Sequence, residues 1–344
     1  MTRQQMLLDS GHKATLLEGE ELAQQQKDFH GYKEGLLRLN PGRWLYTARF
    51  TKFANKIYNF KWKTGDVVVM TFPKCGTTWT QEIIWTMRNN VNFDHPLAME
   101  PAMDRAPFLD CDMFLPEEIA PDSPFMAECP SFQRLCRGAD PKDGVYLQIA
   151  AAIPEPRTIK THLPFSLFHP SLLDTAKVVY VVRNPKDVFF SYLHHSRLLV
   201  DHGFVGSMKD FMKYFINGDL VYGAYDEHVK EAWERRDHPN LHLLFYEDLK
   251  ANTLKELRKL SDFIGTELTD DELKKIAEYT SFDQMKARDN DKLKDFYNHD
   301  IWKKDGGFFR KGQSGGWKKN LPEDVTAEMD AWIKKSFNFG ITLK

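Results

Sequence analysis

Cysteine is scarce in this chain, with four in 344 residues (Cys75, Cys111, Cys129 and Cys136). No two of them form a C-x-x-C pair, which argues against zinc and thioredoxin-type chemistry, and a chain of this size does not need a disulfide framework. Charge of one sign is also missing. Lys and Arg total 47 against 49 Asp and Glu, for a formal net charge of −2. No global field therefore points to nucleic acid or to an anionic membrane surface. No stretch approaches the roughly 20 apolar residues that span a bilayer. The first 28 residues are polar and hold no apolar run resembling a secretory leader, so the cytoplasm is the expected compartment. Internal repeats and low-complexity tracts are absent as well.

What remains is a globular composition, with 42% hydrophobic and 28% charged residues. The length suits one large α/β domain. Residues 1–60 read as a partly helical lead-in packed on a domain at 61–344. Inside that domain, 66–72 (DVVVMTF) is a short apolar run before Pro73, as a buried parallel strand requires. Trp79, Ile83, Ile84 and Met87 then share one stripe of a helix at 77–90. The alternation repeats with β-prone residues at 157–161 and a strand at 177–183 (KVVYVVR). A helix follows, with Pro185 in its first turn. Next come a strand at 241–246 and a helical stretch at 248–264. Thr269 and Glu272 have the spacing of a capping box. Strand–helix alternation predicts a central parallel β-sheet flanked by helices, with ligands beyond the carboxyl ends of the strands. Residues 92–144 break the pattern with many prolines and scattered Met and Phe. They read either as an irregular insertion packed on the core or as a lid over an apolar pocket.

The string TFPKCGTTW at 71–79 joins the first of these strands to its helix. A helix N-terminus presents free backbone N–H groups and the positive end of a dipole. Gly76 allows close approach of an anion, Thr77 and Thr78 add hydroxyls, and Lys74 adds charge. Together they form a P-loop-like site for a nucleotide phosphate. A Walker loop is excluded, because the lysine precedes the only glycine.

The string PKCGTTW resembles the phosphosulfate loop of the cytosolic sulfotransferases, where PKSGTTW is usual. The resemblance continues in the family's order through RTIKTHLP (157–164), RNPKDV with Ser191, FYEDLK (245–250), TSFDQMK (280–286) and FRKGQSGGWK (309–318), and its 92–144 region looks closer to arthropod members. It implies transfer of a sulfuryl group from 3′-phosphoadenosine 5′-phosphosulfate (PAPS, leaving PAP) to the hydroxyl of a small phenolic or alcohol acceptor. His162 would be the general base, because imidazole can take a hydroxyl proton near neutral pH. Lys74 and Lys160 would stabilise developing charge. The loop itself (Lys74, Cys75, Gly76, Thr77, Thr78, Trp79) would bind the donor. Arg183 and Ser191, with Arg310, Lys311 and Gly312, would hold the 3′-phosphate. Trp79, Phe282 and Met285, with Tyr246, Thr280, Ser281 and Phe309 nearby, would surround the adenine. Phe108, Tyr192 and His195 would face the acceptor.

Three departures stand out. Cys75 replaces the usual loop serine with a poorer hydrogen-bond donor. Gly316 stands where aspartate is usual. The segment after Trp317 lacks the family's short dimer motif, having Pro322 and Glu323 in place of Thr-Val and Ala327 in place of Glu. A monomer or a different dimer is therefore expected. Competing functions are a P-loop nucleotide kinase, a non-catalytic nucleotide-binding module, and a dehydratase that activates an allylic (retinoid or terpenoid) alcohol by sulfation. No metal site is expected.

Overall fold

A computed structural model describes residues 5–115, 129–288 and 314–344. Its centre is a four-stranded parallel sheet of β5 (Val67–Thr71), β6 (Thr158–Thr161), β7 (Lys177–Val182) and β8 (Leu241–Phe245), in the order β6-β5-β7-β8. Three of these strands were legible as short apolar runs and β6 as a β-prone segment, and the ends differ from the expected ones by a residue or so. Val67 pairs with Thr158 on one side and Lys177 on the other, and Val178 pairs with Leu241.

Alternate strand residues enter two separate cores. Val67, Val69, Val179, Val181 and Leu244 face one. Val68, Met70, Val178, Tyr180 and Val182 face the other. All ten are buried. A period of two running through a fully apolar strand is what a sheet covered on both faces requires. The chain leaves β5 for β6 on one side and later returns to β7 on the other. The sheet therefore reverses its order at β5 and β7, and the crevice outside their carboxyl ends is the expected ligand position.

The first 60 residues differ from the expected lead-in. They form a second, antiparallel sheet of β1 (Gln5–Leu7), β2 (Lys13–Leu16), β3 (Leu36–Asn40) and β4 (Trp44–Thr47), in that order, with α1 (Gly19–Asp28) and α2 (Phe50–Tyr58). Strands of three to five residues carry too little periodicity to be seen in sequence. Leu36, Leu39, Trp44 and Tyr46 join the same core as Val68 and Tyr180.

The remaining main helices are α3 (Thr77–Asn89), α4 (Val145–Ala152), α5 (Pro185–Leu198), α6 (Met208–Asn217), α7 (Tyr225–Glu234), α8 (Tyr246–Ala251), α9 (Thr253–Ile264), α10 (Asp270–Tyr279) and α11 (Glu323–Ser336). The stretch expected as one helix at 248–264 is two. Asn252 leaves the helical region (φ −145°), and its side chain accepts from the Lys255 N–H to cap α9. The Thr269–Glu272 capping box opens α10, as its spacing predicts. In the described part of 92–144, short helical turns carry buried Cys111, Met113 and Phe132, and Leu109 just before them is also buried. Residues 107–109 also lie along β6, where Lys160 donates to the Pro107 carbonyl and Leu109 donates to that of Lys160 (2.9 Å each). This part of the region is core, and it brings Phe108 to the edge of the sheet.

Candidate active site

The loop after β5 has its expected form. Gly76 caps α3 with φ +101°, and Lys74 has φ +69°. A Cβ on Gly76 would lie 2.6 Å from Cδ2 of Tyr246, so a bare backbone is needed there. Tyr246, at the end of β8, supports the loop from below. It meets Trp79 edge-on (5.8 Å, 74°) and carries the Arg183 guanidinium 4.2 Å above its ring. Arg183, at the end of β7, also donates to the Lys74 carbonyl (2.9 Å). Two cations from neighbouring strand ends thus converge on a helix N-terminus, an arrangement that fits an anionic nucleotide. Thr77 is buried, with its Oγ1 2.6 Å from that of Thr71. Thr78 and Trp79 are partly exposed.

Cys75 does not offer its thiol to this site. The side chain is fully buried, lies 3.7 Å from the Tyr225 hydroxyl, and has its pKa pushed up to about 12 by burial. The substitution that looked consequential in sequence points into the core.

His162 follows β6. Its Nδ1 lies 2.8 Å from the Thr71 carbonyl, which can only accept, so Nδ1 carries the proton and Nε2 keeps its lone pair. Burial, then the nearby Lys160 charge, holds the imidazole well below its usual pKa. The ring stands between Phe108 (5.1 Å, 79°) and Tyr222 (5.3 Å, 73°). Lys160 places its ammonium 3.8 Å from the Phe108 ring centre. The backbone carbonyl of His162 accepts from Nε2 of His228 (3.0 Å), whose Nδ1 accepts from Tyr180 (2.6 Å). His195, on α5, lies with Nδ1 3.3 Å from Lys74 Nζ. Aromatic contacts continue from Tyr222 to Phe114 (6.1 Å), from Phe114 to His202 (6.1 Å) and from His202 to His195 (5.5 Å). A largely aromatic wall therefore runs from His162 round to the residue beside Lys74.

Residues 64–339 match the family model described as the sulfotransferase domain. The chain belongs to the sulfotransferase family. Luciferin sulfotransferase of Photinus pyralis is 30% identical over 303 residues, covering 84% of this chain and 76% of that protein. Mouse (Mus musculus) sulfotransferase 1A1 is 34% identical over 292 residues, covering 83% and 89%. Among solved structures, retinol dehydratase in complex with retinol and PAP superimposes with a TM-score of 0.83. It is 29% identical and covers 97% of this chain and 99% of that one. Mouse sulfotransferase SULT7A1 complexed with PAP gives 0.61 at 25% identity, covering 89% and 95%. Members of this sulfotransferase family use PAPS.

The other residues singled out by the sulfotransferase resemblance fall as follows. Ser191 is half-buried on α5. Thr280 and Met285 are buried, while Ser281 and Phe282 are partly exposed. Their segment is tied to α3 by the Arg288–Glu82 pair (3.5 Å), which brings 280–288 to the side of the sheet that holds Trp79. Tyr192 is buried, and its hydroxyl donates to the Val221 carbonyl (2.8 Å), so its polar atom serves the fold. Phe309, Arg310, Lys311 and Gly312 lie outside the described residues. The described residues contain no cluster of three or more His, Cys, Asp or Glu able to hold a metal, and no described helix is long and apolar enough to cross a membrane. Sequence reasoning missed Asp110, Tyr222 and His202. Asp110 lay in plain view two residues after Phe108, but nothing local marks what it meets.

Proposed function

We propose that this sulfotransferase moves a sulfuryl group from PAPS to the hydroxyl of a small phenolic or alcohol acceptor, with His162 as the general base. The observation that carries this reading is the His162 imidazole, fixed by the Thr71 carbonyl and left with a bare Nε2 on the side chain that ends β6. PAPS, when bound, supplies the sulfuryl group and a phosphate leaving group. Lys74, Gly76 and Thr78 would hold its phosphosulfate end, Arg183 and Ser191 its 3′-phosphate, and Trp79 with the 280–285 segment its adenine. His162 takes the acceptor hydroxyl proton at Nε2. Lys74 keeps a positive charge on the phosphate side of the site, and Lys160 keeps one on the acceptor side. Both meet charge as it develops, in an enclosed site where such interactions are strong. The aromatic wall from Phe108 to His195 excludes water and favours a flat or apolar acceptor.

The His162→Ala variant is expected to lose turnover while PAP binding, followed by calorimetry, persists. Loss of PAP binding together with turnover would make the histidine a structural residue. ATP binding as tightly as PAP would favour a kinase instead. The fit to retinol dehydratase favours one second reading, sulfation-driven dehydration of an allylic alcohol. Mass analysis separates the two, because a sulfate ester retains the transferred group and an alkene does not.

A further inference from the structure

Asp110 is 1% exposed and sits where β6 ends. Its Oδ1 accepts from the Thr161 hydroxyl (2.7 Å) and from the His162 backbone N–H (3.2 Å). Its Oδ2 accepts from the Tyr222 hydroxyl (2.7 Å). One carboxylate therefore joins the backbone of the proposed base to Tyr222, which lies 112 positions along the chain from Asp110. Burial pushes this carboxyl up to about 6, against the opposing pull of those hydrogen bonds. A buried carboxylate is costly, and a plain structural tie could use a neutral side chain at lower cost.

Tyr222 is itself held in a demanding conformation. It has φ +76° without being glycine, a region that costs of order 1–3 kcal/mol and tends to occur at functional sites. Its N–H donates to the Leu45 carbonyl of β4 (2.8 Å), and its ring packs edge-on to Tyr46 (5.8 Å, 86°). The backbone is thus pinned by the N-terminal sheet, the hydroxyl by Asp110, and the ring is turned against the His162 imidazole. The Thr71 carbonyl fixes the direction of the imidazole within its own plane. The Thr71 hydroxyl also lies 3.1 Å from Nδ1, and the two faces of the ring are bounded by Phe108 and Tyr222, which limit its tilt.

We propose that Asp110 and Tyr222 form a positioning pair that sets the orientation of the His162 imidazole. Asp110 acts twice, through the backbone of His162 and through the Tyr222 ring, and touches no reacting atom. The proposal rests on His162 being the base, and its first readout is independent of turnover.

Two near-isosteric variants test it. Tyr222→Phe keeps the ring and removes the hydroxyl. Asp110→Asn keeps the shape and retains an acceptor for Thr161 and His162. In protein labelled with 15N-histidine, the His162 ring nitrogens should shift in both variants at fixed pH, while PAP affinity by calorimetry stays at the wild-type value. In steady-state assays kcat should fall about tenfold to a hundredfold, the scale for misplacing a reacting group, with a smaller change in acceptor KM. The double variant should lose no more than the worse single one, because the two residues act as one unit. Unchanged His162 resonances with unchanged kcat would overturn the pair. So would additive losses accompanied by a fall in PAP affinity, which would mark Asp110 as a general support of the fold. Full turnover in His162→Ala would refute the base assignment, whereas the nitrogen shifts would still report whether the pair orients the ring.

Discussion

Lys74 and Gly76 both take positive φ on either side of a buried Cys75, and at this scale the loop has little tolerance. Gly76→Ala would push a methyl into Tyr246, which Trp79 and Arg183 hold from other sides. It would also add strain at φ +101°. A stability loss of about 1–3 kcal/mol is expected, readable by urea titration, along with a weaker PAP isotherm. The imidazole of His162 gives a second expectation. Its pKa is held well below 6.5, first by burial and then by Lys160, so the neutral base is present at neutral pH and is lost only as the pH falls through that lowered value. The acid limb of kcat/KM should therefore lie below 6.5, and a limb above 6.5 would contradict the assignment. His162, Lys74 and Arg183 were legible in sequence because each sits in a short string with its neighbours. Asp110 and Tyr222 were not, because Asp110 reaches Thr161 across 51 residues and Tyr222 across 112, links made by the fold alone. Cys75 was legible as a substitution but not in its direction, which depends on Tyr225, 150 residues away.

The strands are held at their entrances as well as at their active ends. Asp66, just before β5, receives Nε and Nη2 of Arg157, just before β6. The same guanidinium donates to the Ala150 and Lys61 carbonyls (3.1 Å each). The pair is 1% and 0% exposed at its side chains. Removing one partner of such a pair leaves a buried charge uncompensated, so Asp66→Ala should cost about 3–5 kcal/mol in chemical denaturation. Donor-site residues lie at the far ends of these strands, so surviving folded protein should retain PAP affinity. The central strands β5 and β7 were readable because burial on both faces makes them continuous apolar runs. The N-terminal sheet was not, because its strands are only three to five residues long and share no common pattern: Gln5–Leu7 is exposed throughout, Trp44–Thr47 is buried throughout, and Lys13–Leu16 is mixed. The break at Asn252 was likewise hidden inside an otherwise helical stretch.

Across the whole molecule, the C-terminal region packs on its own chain. Along α11, Val325, Met329 and Trp332 are buried. Trp332 meets Phe215 of α6 (5.5 Å), and Asp330 and Asp324 pair with Lys186 and Lys209 (2.5 Å each). With Pro322 where the family's dimer motif would run, sedimentation should give no dimer formed through 318–327, and a dimer abolished by substitutions there would contradict this. The two cores on opposite faces of the parallel sheet have a further consequence. Tyr246, which supports the phosphate loop, belongs to the core with α9 and α10. Phe108, Tyr222 and the N-terminal sheet belong to the other. Between them lies the sheet, and the phosphate loop reaches the second core only through buried Phe72 and Cys75. Such a scaffold lets the choice of acceptor diversify over evolutionary time while the nucleotide it consumes stays the same.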